Sequence, residues 1–138
     1  NDNDGSNGTA GCANGANAGG ASLTASGSSS VAAADLVLTV SGAVGSQPGL
    51  FFQGINSING GMGNGFGDGL RCAGFNAKRI EVTTSDASGN AITTVPVSGA
   101  ASAGDVLNYQ YWYREVAAGG LCGSSHNLTN ALQVVWDA

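Results

Sequence analysis

Beyond residue 30 the apolar positions recur every second residue rather than every 3.6, which is the spacing of strands half-buried in a sheet. In 35–42, DLVLTVSG, the side chains of Leu36, Leu38 and Val40 share one face. In 77–84, AKRIEVTT, Ile80 and Val82 share a face, with charged or hydroxylated residues between them. Residues 21–26, 49–54, 91–98, 105–115 and 131–137 also read as strands, each bounded by Gly, Pro, Asn or Ser. DASGN at 86–90 has turn chemistry, which predicts a hairpin over 77–98. Pro96 cannot donate to a ladder, so an edge position or a bulge is expected there. In 105–115, Leu107, Tyr109, Tyr111 and Tyr113 alternate with Val106, Asn108, Gln110, Trp112 and Arg114. Both faces carry bulky groups, the mark of a central strand covered on both sides. Trp136, with Leu132 and Val134 on its face, is expected to complete a core that also takes Phe51, Tyr111 and Trp112.

About seven or eight short strands without a helical period predict an all-β chain, a single antiparallel β-sandwich of immunoglobulin-like or jelly-roll type. The first 30 residues break the pattern. NDNDGSNGTAGCANGANAGG has almost no large apolar side chain, and such a segment cannot offset its own ordering entropy. The expected division is an extended, low-complexity N-terminal segment, 1–30, followed by a sandwich domain, 31–138. Strand addition to a neighbouring copy would hold the segment still and, if the contact does not close into a ring, would build a filament. Cys12, Leu23 and Val31 would then lie at the joint between subunits. The alternative makes 21–30 the first strand of its own sheet and lays 1–20 across its own surface.

Composition narrows the partners. At 138 residues and 13.4 kDa the chain has room for one core. Only 9% of residues are charged, against about 25% in ordinary domains, so Asn, Ser, Thr, Gly and Ala must cover the surface, as suits a subunit packed among copies of itself. The net charge is −5, and Arg71, Lys78, Arg79 and Arg114 are the only cations, which argues against nucleic acid. No apolar run approaches the roughly 20 residues of a membrane span, and no membrane partner is expected.

The three cysteines, Cys12, Cys72 and Cys122, lack metal-ligand spacing, and His126 is the sole histidine, so no metal is expected. A disulfide between Cys72 and Cys122 would close a loop of about 50 residues and stabilise the fold by roughly 4 kcal/mol in the chain-entropy account. It would also imply an oxidising, extracytoplasmic setting. Cys12 is then the odd one: it is free, pairs with one of the other two, or cross-links to another subunit.

Catalysis needs a nucleophile beside a base, or two carboxylates facing a cleft. Ser124 and Ser125 are too close to His126 on one loop, with no orienting carboxylate nearby, and the acidic residues are scattered singly. No enzyme and no cofactor are expected. NDNDG resembles half of a calcium loop whose remaining ligands are missing. The glycine-rich stretch at 59–69 has no following helix and reads as a structural loop. Asn7 and Asn127 begin glycosylation sequons, Asn7 being the better exposed.

PGLFFQG at 48–54, GDGLRCAG at 67–74, Arg79, YQYWYRE at 109–115 and HNLTNALQVVW at 126–136 together resemble a module of large secreted and cell-surface proteins of environmental bacteria. Residues 12–40 resemble the opening of the same module, so the likeness covers nearly the whole chain. It implies an extracellular β-rich module with no established catalytic residues. Related modules commonly carry Phe where His126 stands and Asp where Glu115 stands, which implies that His126 is not a fixed catalytic group. In overall character the sequence is also similar to subunits of extracellular protein fibrils. The expected function is therefore a structural subunit of an extracellular bacterial filament or surface fibre, its partners copies of itself. The rival is a secreted carbohydrate-binding or adhesive module with glycan partners, using Tyr109, Tyr111, Trp112 or Tyr113. Alternation sets Trp112 opposite the tyrosines, so the four cannot form one exposed plane.

Overall fold

A computed structural model describes residues 10–61, 63–67, 69–115 and 125–138. Its strands are β1 (Ser22–Ser26), β2 (Val37–Ser41), β3 (Pro48–Gly54), β4 (Asn56–Ser57), β5 (Asn64–Phe66), β6 (Gly69–Arg71), β7 (Ala73–Gly74), β8 (Lys78–Thr84), β9 (Ala91–Ile92), β10 (Val106–Arg114), β11 (His126–Leu128) and β12 (Leu132–Val135). Two short 3-10 turns, Ile58–Gly61 and Val97–Ala100, are the only helical elements among the described residues.

The strands form an antiparallel β-sandwich. One sheet has three strands in the order β1-β2-β9. The other runs β11-β10-β3-β8, with β12 pairing the N-terminal half of β10 on the side where β11 pairs its C-terminal half. Two short ladders, β4 with β7 and β5 with β6, lie outside both sheets.

Period-two alternation drives this arrangement. Leu23, Leu38 and Val40 from the first sheet meet Phe51, Leu107, Tyr109, Tyr111 and Tyr113 from the second, and Trp136 closes one end. Each of these large apolar side chains contributes roughly 1.5–3 kcal/mol by leaving water. Tyr111 stacks on Tyr113 with centroids 6.0 Å apart and tilts against Phe51 at 4.6 Å. Two tyrosine tips find partners: Trp136 Nε1–H donates to the Tyr109 hydroxyl at 3.0 Å, and Asn14 Nδ2 donates to the Tyr113 hydroxyl at 3.0 Å. Burial pushes the phenols of Tyr109 and Tyr111 up to about 12, so both stay neutral through ordinary pH.

Several expectations need correction. Val82 is 64% exposed and is not a core residue; it stands on the outer face, opposite Leu50. Ile80 and Val134 are partly buried against the main core, whereas Trp112 packs in a separate cluster with Phe52, Ala73 and Leu128. Residues 77–98 are not a hairpin: β8 pairs β3 while β9 pairs β2, so the DASGN turn crosses from one sheet to the other. Asp86 organises that turn by accepting from Ser88 N and Asn90 N, both at 2.9 Å, bonds that hold its carboxyl below the usual range. After Ile92 the predicted strand gives way to the turn that Pro96 caps.

The largest correction concerns the N-terminal segment. Residues 10–30 belong to the sandwich, so the boundary at residue 30 does not divide the structure. β1 pairs β2 over its whole length, and Leu23, expected at a joint between subunits, is 1% exposed in the chain's own core. Val31 packs against the same core and donates its N–H to Asp137 O at 2.9 Å. Residues 10–20 form a strap held by polar groups in place of the apolar ones the sequence lacks. Asn14 is 3% exposed; besides Tyr113 it reaches Gly42 O at 2.8 Å, and its Oδ1 accepts from Ala16 N and Asn17 N. Gly15 N–H donates to Glu115 Oε2 at 3.4 Å, and Asn127 Nδ2 donates to Ala13 O at 3.0 Å. Gly11 must be glycine, because a Cβ there would run into the backbone carbonyl of Leu128.

Candidate functional site

The register of the five-stranded sheet decides which residues reach its outer face. Phe51 and the three tyrosines point inward, so Leu50 and Phe52 on β3, and Gln110 and Trp112 on β10, point outward. Trp112 lies across from Leu50 on one side and Leu128 on the other, and Leu50 lies across from Val82. A bulge at Phe51/Phe52 slips β8 by one residue, which lets Ile80 pack against the core and sets Arg79 opposite Phe52.

Gln110 then builds the upper wall. Fully buried, it accepts at Oε1 from Cys72 N (2.9 Å) and Ala73 N (3.3 Å), and donates from Nε2 to Leu70 O (2.8 Å) and Thr129 O (2.7 Å). One side chain thereby ties β6, β7 and the end of β11 to β10. The glycine-rich stretch expected as a plain loop carries the β5–β6 ladder, and Gly67 turns it at φ +62 against the His126 ring, where no side chain would fit. This brings Phe66 edge-on to Trp112, 5.5 Å between centroids at 74°, and to His126 at 5.1 Å. Arg71 lies over Phe52 and Phe66, its guanidinium carbon 5.6 and 5.9 Å from their centroids, with Nε–H donating to Ala73 O at 3.1 Å.

The result is an open groove of two contiguous hollows, of about 180 and 250 Å³, that share Leu50, Arg79 and Trp112. Arg71 and Lys78 line the first hollow and Arg114 the second, with Arg79 between. All four cations of the chain therefore meet on one face. Among the described residues no carboxylate lines either hollow. Described acids are engaged elsewhere: Asp35 by Ser28, Asp105 by Ser102 and Asp137 by Ser29. Partial burial pushes the Glu81 carboxyl up, but Thr94 N and Oγ1 (both 2.8 Å) and Val95 N (3.2 Å) outweigh it and bring it below the usual range.

Of the four aromatics named as a sugar platform, Tyr109, Tyr111 and Tyr113 are buried in the sandwich, Tyr113 only bordering the second hollow, while the partly exposed Trp112 lines both hollows. Cys72 is buried beside Gln110 and Cys12 is partly buried in the strap, while Cys122, and with it the expected disulfide, lies outside the described residues. Asn7 and NDNDG also lie outside them. Asn127 is 0% exposed with its amide donating to Ala13 O and accepting from Leu128 N, so the folded chain offers no glycan acceptor there. The sequence reading missed the groove itself. The only sequence signal is that all four cations sit in GDGLRCAG, AKRI and YWYRE near apolar or aromatic residues. No protein-family model, curated protein or solved structure matches the chain, so the functional argument rests on this groove.

Proposed function

We propose that the chain is an exported, non-catalytic binding module of adhesive type, which engages its target through the outer face of the five-stranded sheet. One observation carries this reading. In a chain of net charge −5, all four cations gather around a half-exposed tryptophan and phenylalanine. Gathered like charges repel, and scattered ones would have neutralised the acids. The arrangement is favourable once an anionic target supplies the counter-charge. Trp and Arg beside partly buried apolar residues are also the side chains that dominate binding energy at contact surfaces. The extracellular setting is supported by the Ser-, Thr- and Asn-rich composition and by the resemblance to secreted modules.

The test is a thermal-shift screen of soluble glycans and peptides, repeated on Leu50→Glu, which puts a carboxylate on the groove floor. A ligand at ten times its Kd should stabilise the wild type by about 1.4 kcal/mol and the variant hardly at all. Equal stabilisation of both would place binding elsewhere.

A head-to-tail filament is the second reading, favoured by the 9% charged composition. Against it stand two of the four sheet edges, β1 and β8. On β1 the Asn130 amide accepts from Leu23 N at 2.7 Å and donates to Leu23 O at 3.1 Å, occupying the edge as a strand would. On β8, Lys78, Arg79 and Glu81 make a charged edge, and Glu81 binds the 94–95 segment along it. With residues 10–30 absorbed in their own fold, that stretch is not available for donation to a neighbour.

A further inference from the structure

We infer that the groove takes an acidic polysaccharide, its sugar rings seated in the corner between Trp112 and Phe66 and its acid groups held by the cations along the length. This rests on the outer face being the binding face, and it commits that face to one class of ligand.

The floor decides between a sugar chain and a peptide. It is the face of a sheet whose central strands are paired on both sides: β3 with β10 and β8, β10 with β3 and with β11 and β12. Such a face offers no row of unpaired N–H and C=O groups. An extended peptide laid on it would trade water for apolar side chains at its own backbone, a costly exchange. Peptides are captured along open edges rather than on a face, and here Asn130 covers part of the β1 edge and Glu81 part of the β8 edge. A sugar ring has the opposite requirement. Its C–H face needs an apolar surface, while its hydroxyl groups stay in water at the rim of an open groove.

Shape and charge refine the class. Trp112 and Phe66 cross at 74°, so they make a floor and a wall rather than one flat platform. That corner suits a single soluble chain better than the flat surface of a crystalline polymer. The groove follows β3 from Phe52 to Pro48, a run of about 13 Å at the rise of a strand, long enough for more than one ring. Arg71 and Lys78 stand at one end, Arg79 in the middle and Arg114 at the other. Positive charge recurs along the path, as negative charge does along a chain of uronate or sulfated sugars, and the arginine fork matches both acids.

The two tryptophans make the test direct, because each gives its own indole N–H signal in a nitrogen–proton spectrum. Trp112 lines the groove, and Trp136, 1% exposed in the core, is an internal control. Oligogalacturonate should move the Trp112 signal and leave Trp136 in place. Arg79→Gln or Arg114→Gln, both at exposed positions, should weaken binding about tenfold, and added salt should weaken it further. A sulfated oligosaccharide active where oligogalacturonate is silent would support the inference and name sulfate as the acid. A neutral cello-oligosaccharide binding as tightly as the acidic one would overturn acid recognition but leave the binding face standing. Polyglutamate moving Trp112 while the glycans do not would make a peptide the occupant, again with the face intact. If no probe of any class moves Trp112, the inference and the binding face fall together.

Discussion

Gln110→Leu is expected to be among the most damaging single substitutions in the chain, although it keeps the side chain's approximate volume and removes no apolar contact. Four backbone groups depend on the Gln110 amide: Cys72 N, Ala73 N, Leu70 O and Thr129 O. Leaving a buried group unsatisfied costs about 1–3 kcal/mol. Even with some rearrangement, a loss on the order of 4 kcal/mol is expected. That corresponds to a fall in Tm of roughly 10 °C or more for a domain of this size, read by circular dichroism. The substitution also separates fold from site, because it unpins the β5–β7 region that carries Phe66 and Arg71 over Trp112. Trp112 emission should shift to the red below the melting transition. A variant within about 1 kcal/mol of wild type would mean that the hub is redundant.

Removing residues 1–20 should have a comparable effect for a different reason. The strap covers Tyr113, Glu115 and Asn127, each at most 2% exposed, and supplies a hydrogen-bond partner to each. Water reaches some of these groups once the strap is gone, so the expected cost is roughly 3 kcal/mol rather than the full sum of three lost partners. Urea titration of 1–138 beside 21–138 measures it. A strap made for a neighbouring copy would leave the truncated chain as stable as the whole, and the intact chain would sediment as a polymer. On the present account the intact chain sediments as a monomer and truncation destabilises it. Gly11→Ala should act in the same direction, since its methyl group meets the Leu128 carbonyl.

The sandwich was legible in the sequence wherever alternation ran long enough. Leu36, Leu38 and Val40 were assignable by parity alone, as was the placing of Trp112 on the opposite face from Tyr109, Tyr111 and Tyr113. Parity failed at Val82, because a strand on the edge of a sheet can expose its β-branched residues, and the bulge at Phe51/Phe52 shifts which side of β8 turns inward. The strap is not legible from apolar content, because this segment is ordered by polar groups instead. Asn14, Asn127 and Asn130 do that work through buried amide hydrogen bonds, and an asparagine in sequence gives no sign of whether it will cap a turn or fill a core. The groove stayed hidden because it is a property of strand order. Arg114 lies far along the chain from Arg71 and Arg79, and only the β8-β3-β10 order, with β6 folded over it, makes the three neighbours.

The claim that these cations form one binding face is tested most directly by arginine footprinting. Phenylglyoxal modification of each arginine, read by mass spectrometry across a titration with oligogalacturonate, follows the two ends of the groove separately. The account predicts that Arg71 and Arg114 become protected together, at a single midpoint. Protection of one end alone, or modification of both at an undiminished rate under saturating ligand, would contradict it.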